Sequence, residues 1–180
     1  MKVIPTELPG ILIIEPRVFI DSRGFFLETF QTERYAAAGI VGPFVQDNFS
    51  RSSEGTLRGL HFQQPSAQGK LVQVLHGSIW DVAVDIRRGS PTFGRWVGIE
   101  LSEENRRQLW IPPGFAHGFL VLSGVAEFLY KTTDYWYPEF ERTLLWNDPA
   151  LGIDWPLAGT PTLAAKDSAG TPLAQAETYP

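Results

Sequence analysis

The sequence predicts a mainly β fold, a sandwich or barrel of short antiparallel strands, on three observations. Short runs rich in β-branched and aromatic residues recur along the chain, separated by turns drawn from 17 glycines and 14 prolines. Twelve Phe, six Trp and five Tyr favour pleated surfaces and aromatic-lined pockets over helix bundles. Strands do not alternate with helices, which disfavours a doubly wound sheet.

The elements follow in order. Leu12–Glu15 and Arg17–Ile20 read as strands on either side of Pro16. Asp21-Ser22-Arg23-Gly24 reads as a turn into a further strand, Phe25–Phe30. Thr32 stands where it would cap a short helix over Glu33–Ala38, ended by Gly39, the only convincing helix of the first half. Beyond Gln46-Asp47-Asn48-Phe49-Ser50, strand follows strand. Leu71–Leu75 passes through a tight turn at His76-Gly77 into Ser78–Arg87. There Trp80, Val82, Val84 and Ile86 share one face, while Ile79, Asp81, Ala83 and Asp85 share the other. One wall is apolar and the other carries carboxylates. Trp96–Leu101 and Gln108–Ile111 flank the polar turn Ser102–Asn105, and Phe119–Leu122 and Ala126–Thr132 flank Ser123-Gly124. After Trp146 the chain becomes irregular and rich in Pro and Ala, and Trp155 is expected to staple it to the body. One domain is expected over residues 1–180, with a barrel core over about 45–135 and a C-terminal segment over about 147–180 packed on it.

Bulk composition narrows the function. A net charge of −5 argues against a general nucleic-acid or anionic-membrane surface, so any phosphate site must be built locally from a few Arg and Lys. The absence of cysteine excludes disulfides, thiolate zinc sites, iron–sulfur clusters and a Cys nucleophile. The N-terminal residues show no signal peptide, and no window approaches the ~18 apolar residues of a membrane span. A soluble, cytoplasmic protein is expected.

The chemistry concentrates in Arg58-Gly59-Leu60-His61-Phe62-Gln63 and the nearby Lys70. A guanidinium, an imidazole and an ammonium among strand residues suit proton abstraction beside a carbonyl on a phosphorylated substrate. His61 titrates near ~6.5 when unperturbed and would gain from a carboxylate on its other ring nitrogen; Asp81, Asp85 and Asp167 are the candidates. The alternative is a strand histidine bonded to backbone. Arg58 lies three residues from His61, which in a regular strand means the opposite face, unless Gly59 hosts a bulge. Lys70 reads either as an edge lysine or as a cation for an enolate oxygen. Tyr130 reads either as a packing residue or as a proton donor.

Trp110–Phe119 is a second dense motif, whose two prolines and two glycines fix a loop that presents His117. It resembles the second conserved box of cupin barrels, where a histidine often binds metal. A metal site would need a His-x-His pair with further ligands, yet Gln63 stands two residues after His61 and His76 lies in a turn. No metal is expected. The lack of a Gly-x-Gly-x-x-Gly motif also argues against a nicotinamide cofactor.

Asp21–Phe26, Gln46-Asp47-Asn48, Leu57–Gln63, Gln68–Val72, Asp81–Arg87, Gln108–Phe119 and Glu127–Lys131 occur in an order that resembles the dTDP-4-dehydrorhamnose 3,5-epimerase family; Trp146–Pro149 and Ala165-Lys166-Asp167 extend the likeness into the tail. The resemblance implies a cupin-type jelly-roll β-barrel, a homodimer, and no cofactor. It implies dTDP-4-dehydro-6-deoxy-glucose as substrate, inverted at C3 and C5 on the way to dTDP-L-rhamnose. Carried over by motif, His61 is the base, Asp167 its partner, Tyr130 the acid on the opposite ring face, and Lys70 the cation at O4. Arg23, Glu28, Gln46, Asn48, Arg58, His117 and Glu141 match nucleotide-sugar-contacting positions. The competing readings are an epimerase acting at C3 or C5 alone, a metal-dependent cupin, and a non-catalytic binder of nucleotide sugars. In the homodimer, N-terminal strands such as Leu12-Ile13-Ile14 would complete the partner's sheet or be buried in their own subunit.

Overall fold

Residues 1–180 are described by a computed structural model that folds thirteen strands into two antiparallel sheets and a separate hairpin. The six-stranded sheet runs β1 (Lys2–Pro5), β2 (Leu12–Glu15), β10 (Gln108–Ile111), β7 (Lys70–His76), β12 (Val125–Thr132) and β5 (Gln46–Ser53). The five-stranded sheet runs β13 (Glu141–Thr143), β6 (Leu57–Gln63), β11 (Phe115–Val121), β8 (Ser78–Asp85) and β9 (Trp96–Ser102). β3 (Val18–Asp21) and β4 (Gly24–Leu27) form the hairpin. The expected mainly β class is what the chain adopts, as two facing sheets rather than one closed ring.

Three apolar layers hold the sheets. Between them lie Val72, Val74, Ile79, Ala83, Leu101, Leu109, Phe119 and Phe128. The far side of the five-stranded sheet, with Leu57, Leu60, Val82 and Val84, is covered by Leu144, Leu151, Trp155 and Leu173 from the C-terminal segment. Trp155 also donates its indole N–H to the Trp146 carbonyl, 2.9 Å away. Burial on both sides explains why β8 is apolar on the face opposite its carboxylates. On the outside of the six-stranded sheet, Tyr35 of helix α1 (Thr32–Ala37) and Ile40 pack on Ile14, Leu71 and Trp110.

Several boundaries differ from the sequence reading. The helix is capped by Gln31, whose side chain accepts from the Arg34 N–H, so Thr32 is its first residue. The strand expected over Phe25–Phe30 is shorter: β4 ends at Leu27, and residues 28–30 lead irregularly into the helix. Lys2–Pro5, unassigned from sequence, pairs with β2. β2 pairs in turn with β10 of the same chain, so Leu12-Ile13-Ile14 lies inside its own subunit's sheet. His117 is not presented by a loop: β11 begins at Phe115, and the Pro-Pro-Gly signal is spent on residues 112–114. A second short helix, α2 (Ala165–Ser168), appears in the tail and carries Asp167. No helix is long and apolar enough to cross a membrane.

Candidate active site

Strands of both sheets line a cavity of about 400 Å³. Strand alternation supplies its walls: Gln46, Asn48 and Ser50 point in from β5, and Phe128 and Tyr130 from β12. Lys70 enters from the start of β7, His117 from β11, Glu141 from β13, and Lys166 and Asp167 from α2.

Arg58 and His61 both line this cavity despite their spacing of three, and the register shows how. Arg58 pairs with Phe119 while His61 pairs with His117, so β6 spends three residues where β11 spends two. The extra residue is a bulge, and it turns both side chains to the same face. Gly59 permits it. Its φ is +111°, and a Cβ there would lie 2.6 Å from both the Gly118 Cα and the His117 carbonyl oxygen.

The sequence left three carboxylates open as partners of His61. The His61 Nε2–H donates at 2.6 Å to Asp167 Oδ1, on a carboxylate that is 2% exposed. Asp81 instead meets Nε2 of His117 at 2.9 Å. Asp85 is bound by Arg87, Ser90 and Thr92 in a tight turn. The His61 bond leaves the other ring nitrogen with a free lone pair. Burial lowers the imidazole's affinity for a proton, and Asp167 offsets part of that loss, so His61 stays neutral at neutral pH.

Lys70 is buried, and the only protein hydrogen bond of its ammonium goes to the His61 carbonyl at 3.3 Å, leaving hydrogens for a ligand. Loss of hydration drops its pKa from 10.5 to about 8, with Asp81 and Glu141 pulling the other way. Tyr130 is shifted in the opposite sense: burial first and then the Glu141 charge push its phenol above 10, while Arg58 opposes them. It therefore remains a proton donor across the working range. A base, a cation and a donor thus share one chamber.

Nine of the eleven residues singled out from sequence line the cavity: His61, Tyr130, Asp167, Lys70, Gln46, Asn48, Arg58, His117 and Glu141. Arg23 and Glu28 do not. Arg23 sits at the tip of the β3–β4 hairpin, ion-paired to Asp21, and Glu28 just beyond it is ion-paired to Arg34. The hairpin pairs with neither sheet and rests its Phe25 ring under the Arg106 guanidinium of the β9–β10 turn, and neither Arg23 nor Glu28 lines its own chain's cavity. The sequence reading missed Gln63, Gln68, Trp136 and Lys166, which also line it. Lys166 pairs with Glu141 at 2.7 Å, a contact between residues 25 apart that no local pattern announces. Trp136 is 53% exposed at the mouth, and its only mark in the sequence is its place in the aromatic run Tyr135-Trp136-Tyr137. No group of three or more His, Cys, Asp or Glu side chains converges as a metal site would require.

The family model for dTDP-4-dehydrorhamnose 3,5-epimerase matches residues 5–175. The Pseudomonas aeruginosa dTDP-4-dehydrorhamnose 3,5-epimerase is 58% identical over 181 residues, covering 100% of each chain. The crystal structure of the Legionella pneumophila dTDP-6-deoxy-D-glucose-3,5-epimerase in complex with dTDP-4-keto-L-rhamnose is 56% identical, covers 98% of this chain and 94% of its own, and superposes with a TM-score of 0.96. ChmJ of Streptomyces bikiniensis, a 3′-monoepimerase solved with dTDP-quinovose, is 35% identical with a TM-score of 0.91, covering 96% of this chain and 88% of its own. The fold is accordingly of the cupin type shared by these epimerases. With a match over nearly its whole length, and its paired histidine, lysine and tyrosine around one chamber, the chain belongs to the dTDP-4-dehydrorhamnose 3,5-epimerase family.

Proposed function

We propose that the protein epimerises dTDP-4-dehydro-6-deoxy-glucose at C3 and C5, giving dTDP-4-dehydro-L-rhamnose in the synthesis of dTDP-L-rhamnose, without a cofactor and in the cytoplasm. The observation that carries the reading is the convergence of His61–Asp167, Lys70 and Tyr130 on one cavity. Protons at C3 and C5 are both α to the C4 ketone. In this reading neutral His61 removes one, Lys70 stabilises the enolate oxygen at O4, and Tyr130 returns a proton to the opposite ring face. Once His61 has passed its proton to solvent and Tyr130 has regained one from it, the same steps at the second carbon complete the double inversion. Arg58, Gln46, Asn48, His117 and Glu141 hold the nucleotide sugar, and Trp136 offers the mouth's exposed planar face to the base. Purified protein mixed with this substrate should yield ring couplings of the L-rhamno configuration by proton NMR. Unaltered starting sugar would overturn the proposal.

Lys70 separates function from stability. Its pKa is about 8 when folded and 10.5 when free, so the unfolded chain holds the proton more tightly. The folded state bears the full cost of the charge below pH 8 and is relieved of it as pH rises to 10.5. Lys70→Met is therefore expected to stabilise the fold at pH 7 by about 1–3 kcal/mol. It should also lower kcat by about 10²–10³-fold. Thermal melts beside turnover assays check both, and a destabilised but active variant would contradict the assignment.

The assembly is proposed as a homodimer in which each hairpin lends Arg23 and Glu28 to the partner's cavity. Phe19, Ile20, Phe25 and Phe26 of that hairpin are 49–77% exposed, an apolar surface that a free monomer would leave to water. Phe26→Asp is expected to shift the protein from dimer to monomer in sedimentation and to lower kcat/KM. A wild-type monomer at working concentration would count against this arrangement.

A further inference from the structure

The segment after β12 carries Trp136 across the cavity mouth, and its backbone is held there by glutamine side chains rather than by a strand partner. Gln63 does this on both sides of Trp136. Its Oε1 accepts from the Tyr137 N–H at 2.7 Å, and its Nε2 donates to the Tyr135 carbonyl at 3.1 Å and the Ser66 carbonyl at 2.9 Å. Gln46 Oε1 accepts from the Trp136 N–H at 3.0 Å, and Gln68 Nε2 donates to the Asp134 carbonyl at 2.9 Å. Gln63 is 2% exposed, so its amide is fully committed and has no water to exchange with. It also lies two residues beyond His61 on β6, on the same face, and its own carbonyl accepts from the Tyr179 hydroxyl near the C-terminus. The strand that carries His61 therefore also fixes the aromatic at the cavity mouth.

We propose that Gln63 is a positioning residue: its amide clamps the peptide groups flanking Trp136 and so sets the affinity of the mouth for the nucleotide half of the substrate. The inference rests on the reading that Trp136 faces the base. Gln63 touches no reacting atom, and its loss leaves His61, Lys70 and Tyr130 in place. The expected signature is a binding defect without a chemical one.

Gln63→Met keeps the side-chain length and removes the amide. It is expected to raise both the KM for the keto-sugar and the Kd for dTDP about three- to tenfold, with kcat changed less than about threefold. Trp136→Ala should raise the dTDP Kd about tenfold or more, the scale of a lost base–aromatic stack. In the double variant the two effects should not multiply, because Gln63 acts through Trp136. Hydrogen exchange of the Tyr137 amide should quicken in Gln63→Met. Should that variant fold poorly, Gln63→Glu keeps the acceptor for Tyr137 but turns a carboxylate oxygen toward the Tyr135 and Ser66 carbonyls, and a rise in Kd at least as large is expected. Multiplying effects, a fall in kcat at unchanged Kd, or unchanged Tyr137 exchange would each overturn the clamp. Unchanged dTDP affinity in Trp136→Ala alone, with faster Tyr137 exchange in Gln63→Met, would overturn the base-facing reading while leaving the clamp standing.

Discussion

Replacing His61 with alanine is expected to lower kcat/KM by about 10²–10⁴-fold while the fold survives, the range a positioned base contributes. His61 is held by Asp167 at 2.6 Å and lies at the cavity wall rather than in an apolar layer, so its removal opens no core void. What remains is a buried carboxylate without its donor, which costs about 1–3 kcal/mol. Circular dichroism and turnover measured together separate the two effects. The pH profile of the intact enzyme carries the same assignment. Burial lowers the His61 pKa below 6.5, so the acid limb of kcat/KM should fall below that value. Deprotonation of Lys70 should bring the alkaline limb down near pH 8. Native turnover in His61→Ala would show that another group takes the proton.

Tyr130→Phe is expected to retain substrate binding and lose about 10²–10⁴-fold in epimerisation. The ring still packs beside Phe128, whose centroid is 5.5 Å away, so only the hydroxyl is lost. Its effect on labelling is more telling than its effect on rate. His61 can still remove a proton and, after exchange with solvent, return a deuteron to the same face. The variant should therefore take up label at the ring carbons without inverting them. Undiminished product formation would refute the role of Tyr130 as the opposing acid.

Much of the site was legible because β strands obey a period of two. Alternation set Asp81 and Asp85 on one wall of β8, while Gln46 and Asn48 were marked by the family resemblance and fall on one face of β5 by the same rule. The same rule misled at Arg58 and His61, because a bulge depends on what the neighbouring strand does: Gly59 meets Gly118, and position 118 gives no local sign of that contact. In the tail, Trp155 was legible as a staple, and Asp167 through the motif Ala165-Lys166-Asp167 that the family resemblance supplied. Helix α2 has four residues, too few for any periodic pattern, yet it delivers Asp167. His117 was misassigned to a loop because two prolines and a glycine precede it, whereas pairing with β8 carries the strand back to Phe115 and pairing with β6 begins at His117 itself. Gln63 entered the sequence reading only as a missing metal ligand. Its amide work depends on the path of residues 135–137, which only the folded chain defines.

The most direct test is incubation of the wild-type protein with dTDP-4-dehydro-6-deoxy-glucose in deuterated water, counting labelled ring positions by NMR. Deuterium at both C3 and C5, with inverted configuration at each, is the result that removal and return of protons by His61 and Tyr130 requires. Product formed with protium retained at either carbon, or no label at all, would contradict it.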